Sequence, residues 1–226
     1  WPAVLWEKLY EPMIRRAAGL GKASGLDDPD HYEKSTLFCD VLVIGSGPAG
    51  LMAARAAARS GARVVLAEED PALGGRLLGD QRIIDGLSSA EWAAKMAAEL
   101  EAESDVRILR RTAVFGVYDG GTYGALERVS DHLAEPHHHA PRQRLWRIVA
   151  KRAVLAAGAI ERPLVFGNND RPGIMLAGAV RTYLNRFGVA SGSNAIVFVN
   201  NDGAASTVSE LAAAGVSVAA LVDPRP

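Results

Sequence analysis

The sequence predicts an α/β fold, a parallel sheet with an antiparallel portion inserted into it. Three observations carry that expectation. The run VLVIG at Val41–Gly45 is apolar without interruption, as a strand covered on both faces must be. Between Cys39 and Glu68 a strand, a helix rich in small residues and a second strand follow one another, which is a βαβ unit. A second strand–helix–strand series comes late, with strands at 195–199 and 216–222 around a helix at 203–214.

The elements can be taken in order. Residues 1–38 read as a lead-in: 11–19 is a short helix, with Pro12 early and Gly19 as its stop, and 25–30 is loop. Trp1, Trp6 and Tyr10 are too apolar for a free tail and are expected to pack on the main domain or on a missing partner. From Gly47 to Ser60 a helix presents Gly50, Ala53, Ala54 and Ala57 on its inner face, and Gly61 ends it. Residues 63–67 are the next buried strand. Residues 88–104 are helical, with Ser89 as the expected N-cap and Glu91 in the first turn. Strands follow at 106–117, 123–129 and 144–150, and 154–158 reads as one more buried strand. Residues 175–188 form the helix that opens the last unit. The expected organisation is a lead-in over 1–38, a nucleotide-binding domain over 39–165, and a second unit of related type over 166–226. That second unit reads as truncated, and the chain as a piece of a longer polypeptide.

Composition bounds the function. With 226 residues, 49% hydrophobic and 23% charged, the chain has enough apolar material for a real core. A formal net charge of −1 gives no reason to expect nucleic acid or an anionic membrane as partner. No apolar run is long enough to span a membrane, and a single cysteine, Cys39, allows neither a disulfide framework nor a CxxC pair. A reducing cytoplasm fits that usage.

The glycines are the strongest functional signal. Gly45, Gly47 and Gly50 form a GxGxxG series that follows a strand, opens a helix and precedes an acidic residue at the end of the next strand. Gly45 permits the tight turn, Gly47 admits a pyrophosphate to the backbone, and Gly50 lets helix and strand pack closely. Ser46, Pro48 and Ala49 complete that turn, and the positive end of the helix faces the phosphates. Glu68, 18 residues after Gly50, is placed to accept hydrogen bonds from an adenosine ribose and to repel a 2′-phosphate. The fold class is therefore a Rossmann-like FAD/NAD(P)-binding domain with inserted antiparallel strands, followed by a second Rossmann-like unit. Gly74 and Gly75 let the next loop pass close to the nucleotide, and Arg76 either reaches a phosphate or faces solvent. Val114 either touches the adenine or simply packs in the core. In the second unit the strand-to-helix turn NNDGAA at Asn200–Ala205 has one glycine where three are wanted, and Asp202 opposes a pyrophosphate. One dinucleotide is expected, in the first unit.

Taken with LAEEDPALGGRLL and VLAAGAIERP, DVLVIGSGPAGL resembles the two-dinucleotide-binding-domain flavoprotein superfamily. YEPMIRRAAGLG and AIERPLVFGNNDRPGIMLAGAVRTYLNRFGV narrow the resemblance to the alpha subunits of heterotetrameric sarcosine oxidases, with relatives in opine and proline dehydrogenases and cyanide synthases. The resemblance covers essentially the whole chain. It implies an NAD at the first glycine motif, with FAD as the alternative, beta and smaller subunits as partners, and an FMN shared with a partner subunit. Amine oxidation itself is then the work of another subunit. By position it puts Ala49 and Gly50 at the pyrophosphate and Glu68 and Glu69 at the adenosine ribose. Asp70 and Arg76 fall close by, Val114 falls at the adenine, and Gly158 joins the cofactor-binding set.

Other chemistry is weaker. His137, His138 and His139, with His132 nearby, read as an exposed connection rather than a metal site. Cys39 reads as a buried structural thiol. The polar stretch from Asn168 to Gly173 reads as a link between units or as a cofactor or subunit contact. No acid, base or nucleophile is singled out as catalytic.

Overall fold

The computed structural model describes residues 3–21 and 25–225. They form two compact units, residues 1–31 and 32–226. The first is a short helical stretch, α1 (Ala3–Leu5), a π turn (Trp6–Tyr10) and α2 (Glu11–Ala17). Pro12 sits in the first turn of α2, where its missing N–H costs nothing, and Gly19 follows the helix at φ +70°. Trp6 is exposed, Tyr10 is half-buried, and Trp1 lies outside the described residues.

The second unit is built on a six-stranded sheet. Its strands are β1 (Tyr32–Ile44), β2 (Val64–Ala67), β5 (Val106–Leu109), β6 (Thr112–Tyr118), β7 (Thr122–Arg128) and β8 (Gln143–Leu155), in the order β5-β2-β1-β8-β7-β6. β5, β2, β1 and β8 run parallel, and β8, β7 and β6 are antiparallel. Two short strands, β3 (Ile83–Ile84) and β4 (Leu87–Ser88), form a separate hairpin. The expected parallel sheet with an antiparallel insertion is thus what the chain forms.

Strand alternation sends side chains to two cores. Val43, Val64 and Leu66 face α3 (Pro48–Arg59) and α4 (Ser89–Glu101), where they meet Leu51, Ala54, Trp92, Met96 and Leu100. Leu42, Val65, Ala67 and Cys39 face the other way, onto Ala125, Trp146 and Ile148 of the antiparallel portion. Small residues on α3 let it lie close to the sheet, which is why the sequence needs alanine there.

Four details depart from the sequence reading. β1 begins at Tyr32 and pairs with β8 from its first residue, so residues 32–38 are part of the sheet and not of a lead-in. Cys39 accordingly lies inside β1, not ahead of the first strand. Ser88, not Ser89, caps α4: its Oγ accepts from the Glu91 N–H while the Glu91 carboxylate accepts from the Ser88 N–H, a reciprocal capping box. Ser89 is instead fully buried, and its Oγ lies between the carbonyls of Leu77 and Asp80. Finally, 144–150 and 154–158 are not two strands, because β8 runs unbroken from Gln143 to Leu155 beside the equally long β1; its end is not buried, and Leu155 is 77% exposed.

The last elements are α5 (Ala177–Phe187), β9 (Asn194–Phe198), α6 (Ala204–Ala213) and β10 (Ser217–Val222), the two strands pairing in parallel. Gly188 takes the left-handed conformation (φ +66°) that closes α5. Val197, Leu211 and Val216 form a small core there, with Val180 and Leu184 of α5 packed on it. α5 is fixed by a nearly buried charge cluster. The Arg181 guanidinium, 8% exposed, donates to both carboxylate oxygens of Glu210 on α6 and to Asp80 Oδ1 at 3.2 Å. Asn185 Nδ2 adds bonds to Glu210 and to the Gly79 carbonyl. Arg181→Met would leave Glu210 without its counter-charge and Asp80 with only the exposed Arg82, and removing one partner of such a buried pair costs roughly 3 kcal/mol; urea unfolding of the variant should show a loss of that order.

Candidate functional site

The site is where β1 ends, α3 begins and β8 ends. The Gly45 N–H donates to the Ala67 carbonyl at 2.8 Å and holds the turn to β2. Gly45 has φ +95°, and a Cβ on it would lie 2.5 Å from the Ala156 carbonyl oxygen. A Cβ on Gly50 would overlap the Gly45 carbonyl and approach the Ala156 Cβ to 3.3 Å. Both positions require glycine, one for its dihedral and both for space. Gly47 differs. It caps α3 in an extended conformation (φ −60°, ψ 179°), and a Cβ there would meet no protein atom within 4 Å. The space above Gly47 is thus open, and it borders the first turn of α3, where Ala49 and Gly50 present N–H groups that lack intrahelical acceptors and Pro48 has none to present. Backbone donors at the positive end of a helix, beside a glycine that keeps the approach clear, fit a pyrophosphate.

Glu68 closes the other side. It is 8% exposed, and its carboxylate is held by three hydrogen bonds. Its Oε2 accepts from the Ser46 N–H at 2.7 Å and from the Ser46 Oγ at 2.6 Å, and its Oε1 accepts from the Asp70 N–H at 2.9 Å. Ser46 is completely buried and also receives the Gly74 N–H, on its carbonyl at 3.0 Å and on its Oγ at 3.2 Å. The Gly74–Gly75 loop therefore lies on the glycine turn, with a Cβ position at Gly75 only 3.1 Å from Gly47 Cα.

The remaining sequence candidates are distributed around this centre. Glu69 is exposed, and its carbonyl accepts from Arg128 Nη2 at 3.3 Å. Asp70 forms a bidentate ion pair with Arg186, both bonds 2.7 Å, and that guanidinium holds the Asp70 carboxyl below the usual range. Arg76 is exposed and pairs with Glu161 at 3.4 Å. Val114 is half-buried against the core containing Cys39 and Trp146. Gly158, at φ +70° with open space around it, follows Ala156 and Ala157, whose backbone packs on Gly45. Sequence reasoning did not single out Ala156, Glu161 or Arg186. Ala156 had a signal, a pair of alanines before the glycine. Glu161, whose Oε2 accepts the Gly178 N–H of α5 at 2.8 Å, and Arg186 had none, because their partners are remote in the chain.

A cleft of about 400 Å³ opens beside Arg76, Glu161, Asp80 and Arg181. Those charges are already paired with one another or with neighbours, so the cleft presents no unengaged acid or base. His137–His139 form an exposed turn in which the rings of His138 and His139 meet edge-on, 4.6 Å apart. Among the described residues no group of three or more His, Cys, Asp or Glu converges as a metal site, and no helix is long and apolar enough to cross a membrane.

This geometry can be set beside known proteins. Residues 40–100 match the family profile described as FAD dependent oxidoreductase. The sarcosine oxidase subunit alpha of Rhizobium meliloti (strain 1021) is 58% identical over all 226 residues, 23% of the relative's length. The chain is a relative of sarcosine oxidase alpha subunits. The corresponding subunit of Corynebacterium sp. (strain U-96) is 50% identical over 212 residues, covering 92% of this chain and 22% of that one. The chain thus spans less than a quarter of the length of these relatives. Among solved structures, L-proline dehydrogenase from P. horikoshii superposes with a TM-score of 0.66 at 25% identity, covering 89% of this chain and 38% of that one. The matched segment holds the strand, glycine turn, helix and Glu68 described above, and the likeness places the fold among dinucleotide-binding flavoprotein domains.

Two outcomes are expected. Gly50→Ala forces two backbones apart and should lower stability by about 2 kcal/mol or more, whereas Gly47→Ala should change it by less than about 1 kcal/mol, both read by denaturant titration. Cys39 is 3% exposed, and burial, assisted by the neighbouring Asp40, pushes its thiol up to about 11. At pH 8 only about a thousandth is thiolate, so a thiol reagent should label the native chain negligibly and the urea-unfolded chain fully.

Proposed function

We propose that the chain is the dinucleotide-binding portion of an oxidoreductase of the sarcosine oxidase type, acting on CH–NH groups, and that it binds the ADP half of NAD. The observation that carries the proposal is the cradle at Gly45–Gly50. The one glycine with open space stands at the helix N-terminus, the two crowded ones hold the turn, and a buried carboxylate stands at the end of the neighbouring strand. Gly47 and the first-turn N–H groups take the pyrophosphate, Ser46 fixes Glu68, and Glu68 takes the adenosine ribose. Glu69, Asp70, Gly75, Arg76, Val114 and Gly158 complete the surroundings. When bound, such a dinucleotide supplies a hydride-accepting ring. The chain's own residues supply binding and orientation, and no side chain in the cradle is arranged to transfer a proton to substrate.

The amine pocket belongs, on this proposal, to a beta subunit, with an FMN held between the two subunits and further small subunits completing the assembly. The support is the similarity of 92–100% of this chain to subunits named alpha. A second reading has its own support: the match of residues 40–100 to an FAD dependent oxidoreductase profile favours FAD in the same cradle, as in a self-sufficient flavoenzyme or a proline dehydrogenase relative. Glu68 serves either, since both carry an adenosine ribose.

Acid release of small molecules from the purified protein, followed by mass spectrometry and absorbance, separates the two. NAD without visible absorption is expected. FAD would replace the first reading by the second. A protein that releases neither and, in calorimetry, binds neither would overturn the proposal. Gly47→Val, which meets no protein atom at its Cβ, should keep the fold by circular dichroism and lose at least about tenfold in dinucleotide affinity through exclusion of the pyrophosphate.

A further inference from the structure

We infer that Arg186, on the last turn of α5, is a positioning residue for the ribose end of the dinucleotide site, acting through Asp70 and Glu68. The inference rests on the reading of Glu68 as the ribose acceptor.

A carboxylate offers about four lone-pair positions. Glu68 uses three of them within the protein: two on Oε2, for the Ser46 N–H and Oγ, and one on Oε1, for the Asp70 N–H. The one left for a ligand is therefore on Oε1, and its direction is set by where the Asp70 N–H stands. Asp70 is the residue that Arg186 holds. Its Nη1 and Nη2 donate to Oδ2 and Oδ1, both at 2.7 Å, in the planar two-point geometry that fixes a carboxylate in orientation as well as position. The same aspartate also receives the Ala72 N–H on Oδ1 at 2.9 Å and the Arg111 N–H on its carbonyl at 3.3 Å, so the loop after β2 is tied from three directions. Ala72 and Arg111 reach it through backbone N–H groups, whereas Arg186 reaches it through its side chain, from α5.

α5 delivers that guanidinium in register. Gly79 lacks the Cβ that would come within 2.8 Å of Thr182 Oγ1, so the helix lies directly on the loop that follows the glycine pair. Asn185 Nδ2 reaches the Gly79 carbonyl at 2.9 Å, and Arg181 reaches Asp80. Arg186 is then placed by the docking of the whole helix. The Arg186–Asp70 pair is partly solvated, with side chains 24% and 29% exposed. Pairs of that kind add little to stability, so the consequence to look for is in ligand geometry.

The test compares ADP with 2′,3′-dideoxy-ADP, which lacks the hydroxyls that Glu68 would bind. Both are titrated by calorimetry into the full chain, freed of bound nucleotide, as wild type and as Arg186→Met. Wild type is expected to prefer ADP. Arg186→Met should weaken ADP by about fivefold and leave dideoxy-ADP nearly unchanged, Arg186→Lys should recover only part of the loss, and Asp70→Asn should reproduce it. If Arg186→Met does not fold, Asp70→Asn carries the same comparison. An equal loss for both ligands would overturn the positioning role while leaving the site intact. Wild type that binds both alike, or neither, would overturn the ribose reading of Glu68 and the inference with it.

Discussion

At the end of β1 three stretches of backbone come together with no room for side chains between them. The Gly45 carbonyl occupies the place a Cβ would take on Gly50, and the Ala156 carbonyl occupies the place a Cβ would take on Gly45. Packing of this kind is steric and admits little compromise, since backbone atoms cannot rotate away as a side chain can. It fixes where α3 starts relative to β1 and β8. From that follow the direction in which the helix N–H groups point and the open ground above Gly47. The parallel pairing of β1 with β8, twelve registered residue pairs long, makes the third backbone available at that point.

Around this steric centre the polar groups are assigned one by one. Glu68 is removed from water, and a buried carboxylate must find donors; it finds them in the Ser46 and Asp70 backbones and in the Ser46 hydroxyl. The same bonds tie the turn after β1 to the loop after β2, so the satisfaction of one charge also sets the width of the cradle. Ser46 repeats the arrangement with the Gly74 N–H and brings the glycine pair over the site. The site is thus organised by its backbone amides, which are held in place by the protein itself; on the proposed function this lowers the ordering cost of binding.

α5 links the late strands to this arrangement. It contacts the cradle side at three levels along its length: Gly178 through Glu161, Arg181 and Asn185 through Asp80 and Gly79, and Arg186 through Asp70. Glu161 divides its carboxylate between the α5 N-terminus and Arg76, so the segment after β8 also bears on the loop that follows the glycine pair.

The sequence by itself determined whatever depends on neighbours along the chain. The apolar run at Val41–Ile44, the alanines of α3 and the spacing of Gly45, Gly47, Gly50 and Glu68 were enough for the βαβ unit, the glycine turn and the acidic residue facing it. Gly61 marked a helix end because a positive φ is a local requirement. Cys39 was legible as a buried structural thiol from its place beside the first strand with no histidine nearby in sequence, and the insertion of antiparallel strands from alternation. Features that depend on long-range register were left to the tertiary structure. Whether 144–150 and 154–158 were two strands or one could not be read from β8 alone, because the partner that keeps the strand extended, β1, lies more than a hundred residues earlier. Ser88 and Ser89 offered the same local chemistry, and only the carbonyls of Leu77 and Asp80 decided which one was buried. The resemblance singled out Asp70 and Arg76 but not their partners Arg186 and Glu161, since an ion pair across 116 or 85 residues leaves no periodicity of its own in either segment. Local chemistry thus determined which groups make the cradle, and the packing of α5 and β8 decided how each is aimed.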